Sequence, residues 1–291
     1  MTITVHPEPA TTWPAAEAYG VAPSANEETA CRVSMATVRD ANLSAGDDCP
    51  STVSQDGMPE ASPAPADAAV ILSIGDVFRP AFQVEQFAWS SGATRLSRAA
   101  GIQLDRLADG LANGLPEGRR VVALAGSRRG EGCTTLLLCA ARRLAERGMR
   151  VAMVDADFDN PALGRRLGLL PEAGWDDVLS GRLPLGEAVI ESTHDHLAVL
   201  PLRAPQNAES PRSPNAPEPA AALTLLRQHY DLVLVDLGHF DAAAAAFHPR
   251  TIDAVVLVQH VRTTSPQEIQ ETRGRLAQAG LAEIGIAENF V

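Results

Sequence analysis

The chain has no lysine. All 24 of its basic residues are arginine, set against 36 acids for a formal net charge of −12. Chemistry that needs an amine of adjustable pKa, such as a Schiff base, is therefore excluded. So is a phosphate-site lysine, whether from this chain or from a second copy of it. The acidic balance argues against a generally basic nucleic-acid binder. Tyr19 and Tyr230 are the only tyrosines, and aromatics make up 4% of the residues. No apolar run approaches the ~20 residues of a membrane helix, so direct membrane insertion is not expected. The N-terminus, "MTITVHPEPATTW", lacks a basic region followed by an apolar one, so no secretory signal is expected. Cys31, Cys49, Cys133 and Cys139 form no C-x-x-C pair or Cys/His cluster. That spacing offers neither a zinc site nor a disulfide framework, and a cytoplasmic setting is expected.

Three regions differ in composition. Residues 1–68 are rich in Ala, Pro, Ser and Thr, with ten acids facing Arg32 and Arg39. They show no hydrophobic periodicity and are predicted to be a disordered acidic tail. Residues 69–118 carry Phe78, Phe82, Phe87 and Trp89, then apolar residues at helical spacing (Leu96, Ala99, Ala100, Leu104, Leu107, Leu111). They are predicted to form an aromatic arm and a helix over 94–115 that dock on the core; the arm could instead be a docking peptide for another protein. From residue 119 to 291, buried-strand runs at 121–125, 151–156, 197–202, 231–237, 254–258 and 283–287 alternate with helical stretches, notably 134–147, 219–229 and 266–279. This alternation predicts an α/β fold with a mainly parallel sheet covered on both faces. The segment 203–219, with five prolines and no periodicity, is predicted to be a long surface loop.

Between the first two of these strands lies "GSRRGEGCTTLLL" (126–138). A phosphate loop has the form G-x-x-x-x-G-K-[ST]. Its backbone N–H groups wrap the phosphates, a helix N-terminus adds its dipole, the lysine neutralises outer phosphates and the hydroxyl holds Mg²⁺. Gly130, Gly132 and Thr134 keep the backbone and hydroxyl parts. Ser127 holds the first glycine position, and Cys133 holds the lysine position. The second strand ends "VDADFDNP", placing Asp155 and Asp157 at the carboxyl end of a strand expected beside the first. The fourth ends "LVLVDLGHF", placing Asp236 there too. Ligands of open α/β sheets bind at that edge.

These motifs, in this order, resemble the MinD/ParA branch of P-loop ATPases, and within it the bacterial tyrosine kinases (BY-kinases) of exopolysaccharide synthesis. "SRRGEGCTT" is similar to their "S-x-x-P-G-E-G-K-S-T", "VAMVDADFDNP" to their second acidic motif, "GWDDVLSGRLPLGEAV" to the segment that follows it, and "YDLVLVDLGHF" to their Walker B strand. "GIAENFV" is similar to a strand whose Asn, here Asn289, meets the adenine ring. The resemblance covers about residues 115–291. It implies a P-loop NTPase three-layer sandwich with ATP and Mg²⁺ as cofactors. It implies Asp155, Asp157 and Asp236 as catalytic acids, Thr134, Asp155 and Asp236 around the metal, and Ser127, Arg128, Arg129, Gly130, Glu131, Gly132, Cys133, Thr134, Thr135 and Asn289 around the nucleotide. It further implies a membrane polysaccharide-assembly protein as partner, homo-oligomer formation, no nucleic acid, and a place peripheral to the inner membrane through that partner.

The departures are as specific. Besides Cys133, Arg128 stands where MinD/ParA proteins carry a signature lysine. Asp159 and Asn160 replace paired arginines, and Leu237–His239 replace "TPP". The kinases' tyrosine cluster is missing, and of their Glu-x-x-Arg-x-x-Arg motif only Arg95 and Arg98 remain, with Gly92 at the Glu position. Losing a charge-assisted hydrogen bond costs about 1.5–3 kcal/mol, or roughly 10–150-fold in affinity. Phosphoryl transfer should suffer more, because the lysine also stabilises transition-state charge. The expectation is a degenerate, kinase-like regulator or partner-binding subunit of exopolysaccharide synthesis or export with weak or absent ATP binding. The alternatives are an ATPase using Arg128 or Arg129 in place of lysine and a MinD/ParA-like positioning factor. Cys133 at a helix N-terminus near two arginines could have a depressed pKa, or could simply fill the space a lysine would occupy.

Overall fold

In a computed structural model of the chain, residues 33–34, 78–203, 219–240, 251–281 and 283–289 are described. Most of the acidic stretch 1–68, the start of the aromatic arm and the Pro-rich loop lie outside the described residues. Nine strands form one sheet: β1 (Val33–Ser34), β2 (Phe82–Val84), β3 (Val121–Gly126), β4 (Val151–Asp155), β5 (Ile190–Ser192), β6 (Leu197–Leu200), β7 (Leu232–His239), β8 (Ala254–His260) and β9 (Ile284–Asn289). Their order is β1-β9-β8-β3-β7-β4-β6-β5-β2. The six central strands, β9 to β6, run parallel, and the antiparallel pairs lie outside them, β1 on β9 and β5 on β6. β4 is thus not beside β3, as the sequence reading placed it. β7 lies between them, so Asp236 of β7 is directly in register with Asp155 of β4.

The layers follow from the strand period of two. Val122 and Leu124 of β3 face one core, with Leu104, Leu107, Leu137 and Leu144; Val121, Ala123 and Ala125 face the other, with Trp175, Leu226 and Leu276. The first face is covered by α1 (Ser91–Ala99), α2 (Gly101–Asn113), α3 (Cys133–Ala145) and the short α4 (Leu163–Arg166). The second is covered by α5 (Trp175–Leu179), α6 (Pro219–His229) and α7 (Pro266–Gln278). Burial on both faces is why the strands read as continuous apolar runs. The expected single helix over 94–115 is two helices. They break at Ala100 (φ −120°, ψ 31°), just before Gly101, a weak helix former. The break lets α1 and α2 both pack on α3.

Residues 78–90 run along the far edge of the sheet. β2 pairs in parallel with β5, and the N–H of Ala81 donates to Gly186 O at 2.8 Å. One half-buried carboxylate, Asp195, gathers the rest: it accepts from Phe87 N (2.8 Å), Trp89 Nε1 (3.1 Å) and Ser192 Oγ (2.6 Å). The segment then reaches α4, where Ala88 N donates to Leu167 O (3.1 Å) and Ser90 N to Arg166 O (3.0 Å).

Candidate functional site

β3 runs directly into the loop 127–132, and the loop into α3. Gly130 (φ 87°) and Gly132 (φ 93°) hold left-handed conformations that favour glycine. At Gly132 a Cβ would also lie 2.6 Å from Asn289 Nδ2. Glu131 is buried inside the turn, where its carboxylate accepts from the Arg128 N–H at 2.9 Å and from the Thr264 hydroxyl. Asn289 donates to Glu131 O at 2.9 Å. Two residues that the sequence suggested for the nucleotide therefore brace the loop itself. Thr264 gave no sequence signal, because its partner is 133 positions away.

Asp236 is fully buried. Its Oδ1 accepts from Gly238 N at 3.1 Å, while Oδ2 has no protein partner. Burial pushes this carboxyl up to about 6; the neighbouring Thr134 hydroxyl, the Gly238 N–H and the nearby Arg166 pull it down, and Asp157 pushes it up. Asp155 is also buried. Its Oδ2 accepts the N–H groups of Ala162 and Leu163 at 3.0 Å each, which starts α4, and its Oδ1 takes a longer bond from Asp157 N. Burial, then the Asp236 charge, raise its pKa well above the ordinary carboxylate value. Asp157, half-buried, accepts from Asn160 N at 3.0 Å. Beside it Gly238 has φ 58°, and a Cβ there would overlap the Asp157 carboxylate. The "LGH" in place of "TPP" is thus a fitted feature. Leu237 is the extra residue of a bulge against β3, and Gly238 makes room for Asp157.

The cations do not lie where the sequence suggested. Arg128 turns outward onto Glu268, with Nε 2.7 Å from Oε1. Glu268 also closes a capping box with Ser265 at the start of α7. Arg129, 61% exposed, pairs with Asp159 at 2.9 Å. With both guanidinium groups engaged elsewhere, the idea of a depressed Cys133 pKa is corrected. Burial, then Asp236 and Glu131, raise the thiol well above its usual value. Cys133 is a small buried residue packed at the start of α3, and it and Cys139 are free thiols. One arginine whose charge acts on Asp236 is one that the sequence reading missed. Arg166, the last residue of α4, places NH1 3.4 Å from Thr135 Oγ1.

Mg²⁺ calls for anionic or hydroxyl oxygens and a nucleotide phosphate for N–H and O–H donors. Asp236 Oδ2 is a buried anionic oxygen without a partner, next to the Thr134 hydroxyl, and suits a hydrated Mg²⁺. Ser127 Oγ is buried without a partner at the start of the loop, and α3 offers its N-terminal N–H groups. These residues fit the group. Both oxygens of Asp155 already accept backbone N–H groups, so its observed role is to hold α4. No group of three or more His, Cys, Asp or Glu suited to a metal occurs among the described residues. No helix among them is long and apolar enough to cross a membrane.

Comparison with known proteins agrees with this geometry. The chain is 24% identical over 180 residues to the tyrosine-protein kinase CpsD of Streptococcus agalactiae, covering 59% of this chain and 76% of CpsD. It is 28% identical over 150 residues to the succinoglycan biosynthesis transport protein ExoP of Rhizobium meliloti, covering 50% of this chain and 19% of ExoP. The fold is shared with the kinase domain of the Escherichia coli tyrosine kinase ETK (TM-score 0.54, 22% identity, 66% of this chain and 76% of that one). It is also shared with the septum site-determining protein MinD of Pyrococcus horikoshii, solved with Mg-ADP (TM-score 0.50, 22% identity, 57% and 68%). The sheet order, the loop running into α3 and the facing acids of β4 and β7 are those of a P-loop NTPase of the MinD/ParA type. The profile described as "Cellulose biosynthesis protein BcsQ" matches residues 119–278, more than half of the chain, and the chain belongs to that family.

Proposed function

We propose that this protein is a nucleotide-responsive, partner-binding subunit of bacterial polysaccharide synthesis or export that has given up tyrosine-kinase chemistry. One observation carries the reading: the phosphate cradle is built while its lysine is replaced. The loop is braced by Glu131, Thr264 and Asn289, and Asp236 keeps an unpartnered buried oxygen beside Thr134. The lysine position is the buried Cys133, and Arg128 and Arg129 are paired to acids outside the cradle. Thr134 and Asp236 would hold Mg²⁺, which when bound would screen the phosphate charge. The loop N–H groups and Ser127 would hold the phosphates, Thr135 would border them, and Asn289, at the end of β9, would border the base. Asp155 positions α4, and Asp157 fixes the turn beside Gly238. The match to a succinoglycan biosynthesis transport protein and to the cellulose biosynthesis profile supports a role in polysaccharide assembly, and a membrane assembly protein is the proposed partner.

Calorimetric titration with Mg·ATP tests this. A micromolar site that loses one charge-assisted bond should weaken by about 10–150-fold, to Kd on the order of 100 μM. Cys133→Lys should tighten binding by about tenfold or more. No phosphotyrosine should form on the protein. Rapid Mg-dependent autophosphorylation of the unmodified protein would overturn the reading, and so would Cys133→Lys without any gain.

A further inference from the structure

We propose that Arg166 supplies the positive charge that this phosphate site retains, offsetting part of what the absent lysine would give, with a nucleoside di- or triphosphate as the ligand class. The inference rests on the nucleotide-binding reading above and adds the identity of the cation. Asp155 accepts the N–H groups of Ala162 and Leu163 at 3.0 Å and so fixes where α4 begins, at the carboxyl edge of the sheet. Arg166 closes that one-turn helix, its N–H donating to Ala162 O at 2.9 Å and its carbonyl accepting from Ser90 N at 3.0 Å. Its backbone is thereby held from both sides. Its side chain extends to Thr135, in the first turn of α3, the helix whose N-terminus follows the loop.

Two features separate Arg166 from Arg128 and Arg129. Among the described residues no carboxylate lies within ion-pair distance of it, whereas Arg128 and Arg129 each have one. Its Nε is buried and has no hydrogen-bond partner. A guanidinium is always charged, and a buried donor of a charged group is costly to leave unpaired. A phosphate satisfies such a fork in bidentate fashion. The second unpartnered group of the site, Asp236 Oδ2, has the complementary need: it is fully buried and anionic, and calls for a cation or a bound water. The field of Arg166 already reaches it. A Mg²⁺-bound phosphate meets both requirements together.

Calorimetry on the full chain with Mg·ATP and Mg·ADP tests the assignment, with thermal unfolding of each variant in the absence of nucleotide as the check on folding. Arg166→Met should weaken Mg·ATP about 10–150-fold, Arg166→Lys should fall between it and the unmodified protein, and Arg128→Ala and Arg129→Ala should bind like the unmodified protein. Binding to the unmodified protein should weaken with added salt, and the slope should flatten in Arg166→Met. Adding Cys133→Lys to Arg166→Met should restore affinity, and this double variant decides the case if Arg166→Met alone folds poorly. Unchanged affinity in a folded Arg166→Met, or a tenfold loss in Arg128→Ala or Arg129→Ala instead, overturns the assignment of Arg166 while leaving nucleotide binding intact. A loss in Arg166→Met that Cys133→Lys does not restore also overturns it, because the residue would then serve structure alone. If the unmodified protein binds neither nucleotide, both readings fall.

Discussion

Asp236→Asn should make the ligand-free protein more stable, although it removes a group central to the site. The carboxyl is fully buried and its pKa is raised from 3.8 to about 6. At about 1.36 kcal/mol per unit, holding it ionised costs on the order of 3 kcal/mol at neutral pH. The sign follows from proton linkage. Between roughly pH 4 and 6 the folded state binds the proton more readily than the unfolded state. Stability therefore falls as pH rises through this window and stays low above it. Asp155, raised in the same direction with Asp236 as a cause, adds to the effect. An asparagine keeps an oxygen for the Gly238 N–H but places an NH₂ where Oδ2 has no partner, at a cost of about 1–3 kcal/mol. The net gain should be up to about 2 kcal/mol at pH 8, a rise in Tm of up to about 8 °C for a domain of this size. It should shrink as pH approaches 4. Thermal unfolding of both proteins from pH 4 to 8 reads it directly, with the exposed Asp159→Asn as control. A gain that does not change with pH, or a loss at pH 8, would refute the electrostatic account.

Gly238→Ala should cost at least about 1–2 kcal/mol from its left-handed φ alone, and more from overlap with the Asp157 carboxylate. Combining it with Asp157→Ala should recover the overlap part, as chemical denaturation would show. Asp195→Ala removes the acceptor of Phe87 N, Trp89 Nε1 and Ser192 Oγ. It should loosen residues 86–90 selectively, seen as faster amide exchange there while β3 and β7 stay protected. Cys133, with its thiol pKa raised and its side chain buried, should resist iodoacetamide at pH 7.5 in the folded protein and react on unfolding, as peptide mass spectrometry would show.

The central sheet was readable from sequence because each parallel strand is buried on both faces and announces itself as an apolar run, as in "VVALA" and "LVLVD". The loop and the acids of β4 and β7 were readable because their meaning is local: glycine at fixed offsets, aspartate at a strand end. Strand order was not, because nothing in β3 or β4 says that β7 comes between them; that depends on pairing between segments about a hundred positions apart. The three-residue β5 and β2 were missed because neither is long enough to show a period. Side-chain direction was missed for the same kind of reason. Arg128 and Arg129 sit in the loop by sequence, yet their guanidinium groups are claimed by Glu268 and Asp159, 140 and 30 positions away. Arg166 reaches the site from 31 positions beyond Thr135, in a stretch to which the sequence reading assigned no element.

The arm at the sheet edge has a mechanical consequence. From β2 the chain passes through Asp195 to Ala88 and Ser90, which hold the carbonyls of Leu167 and Arg166. Residues 78–90 thus act as a tether whose far end is the helix that carries Arg166. Phe87 is buried in the core on the α3 side, with Phe82, Val84 and Trp89 packed against it, so the tether is anchored along its length. A change that frees residues 78–90 would therefore remove the hydrogen bonds at the end of α4 together with those at the sheet edge.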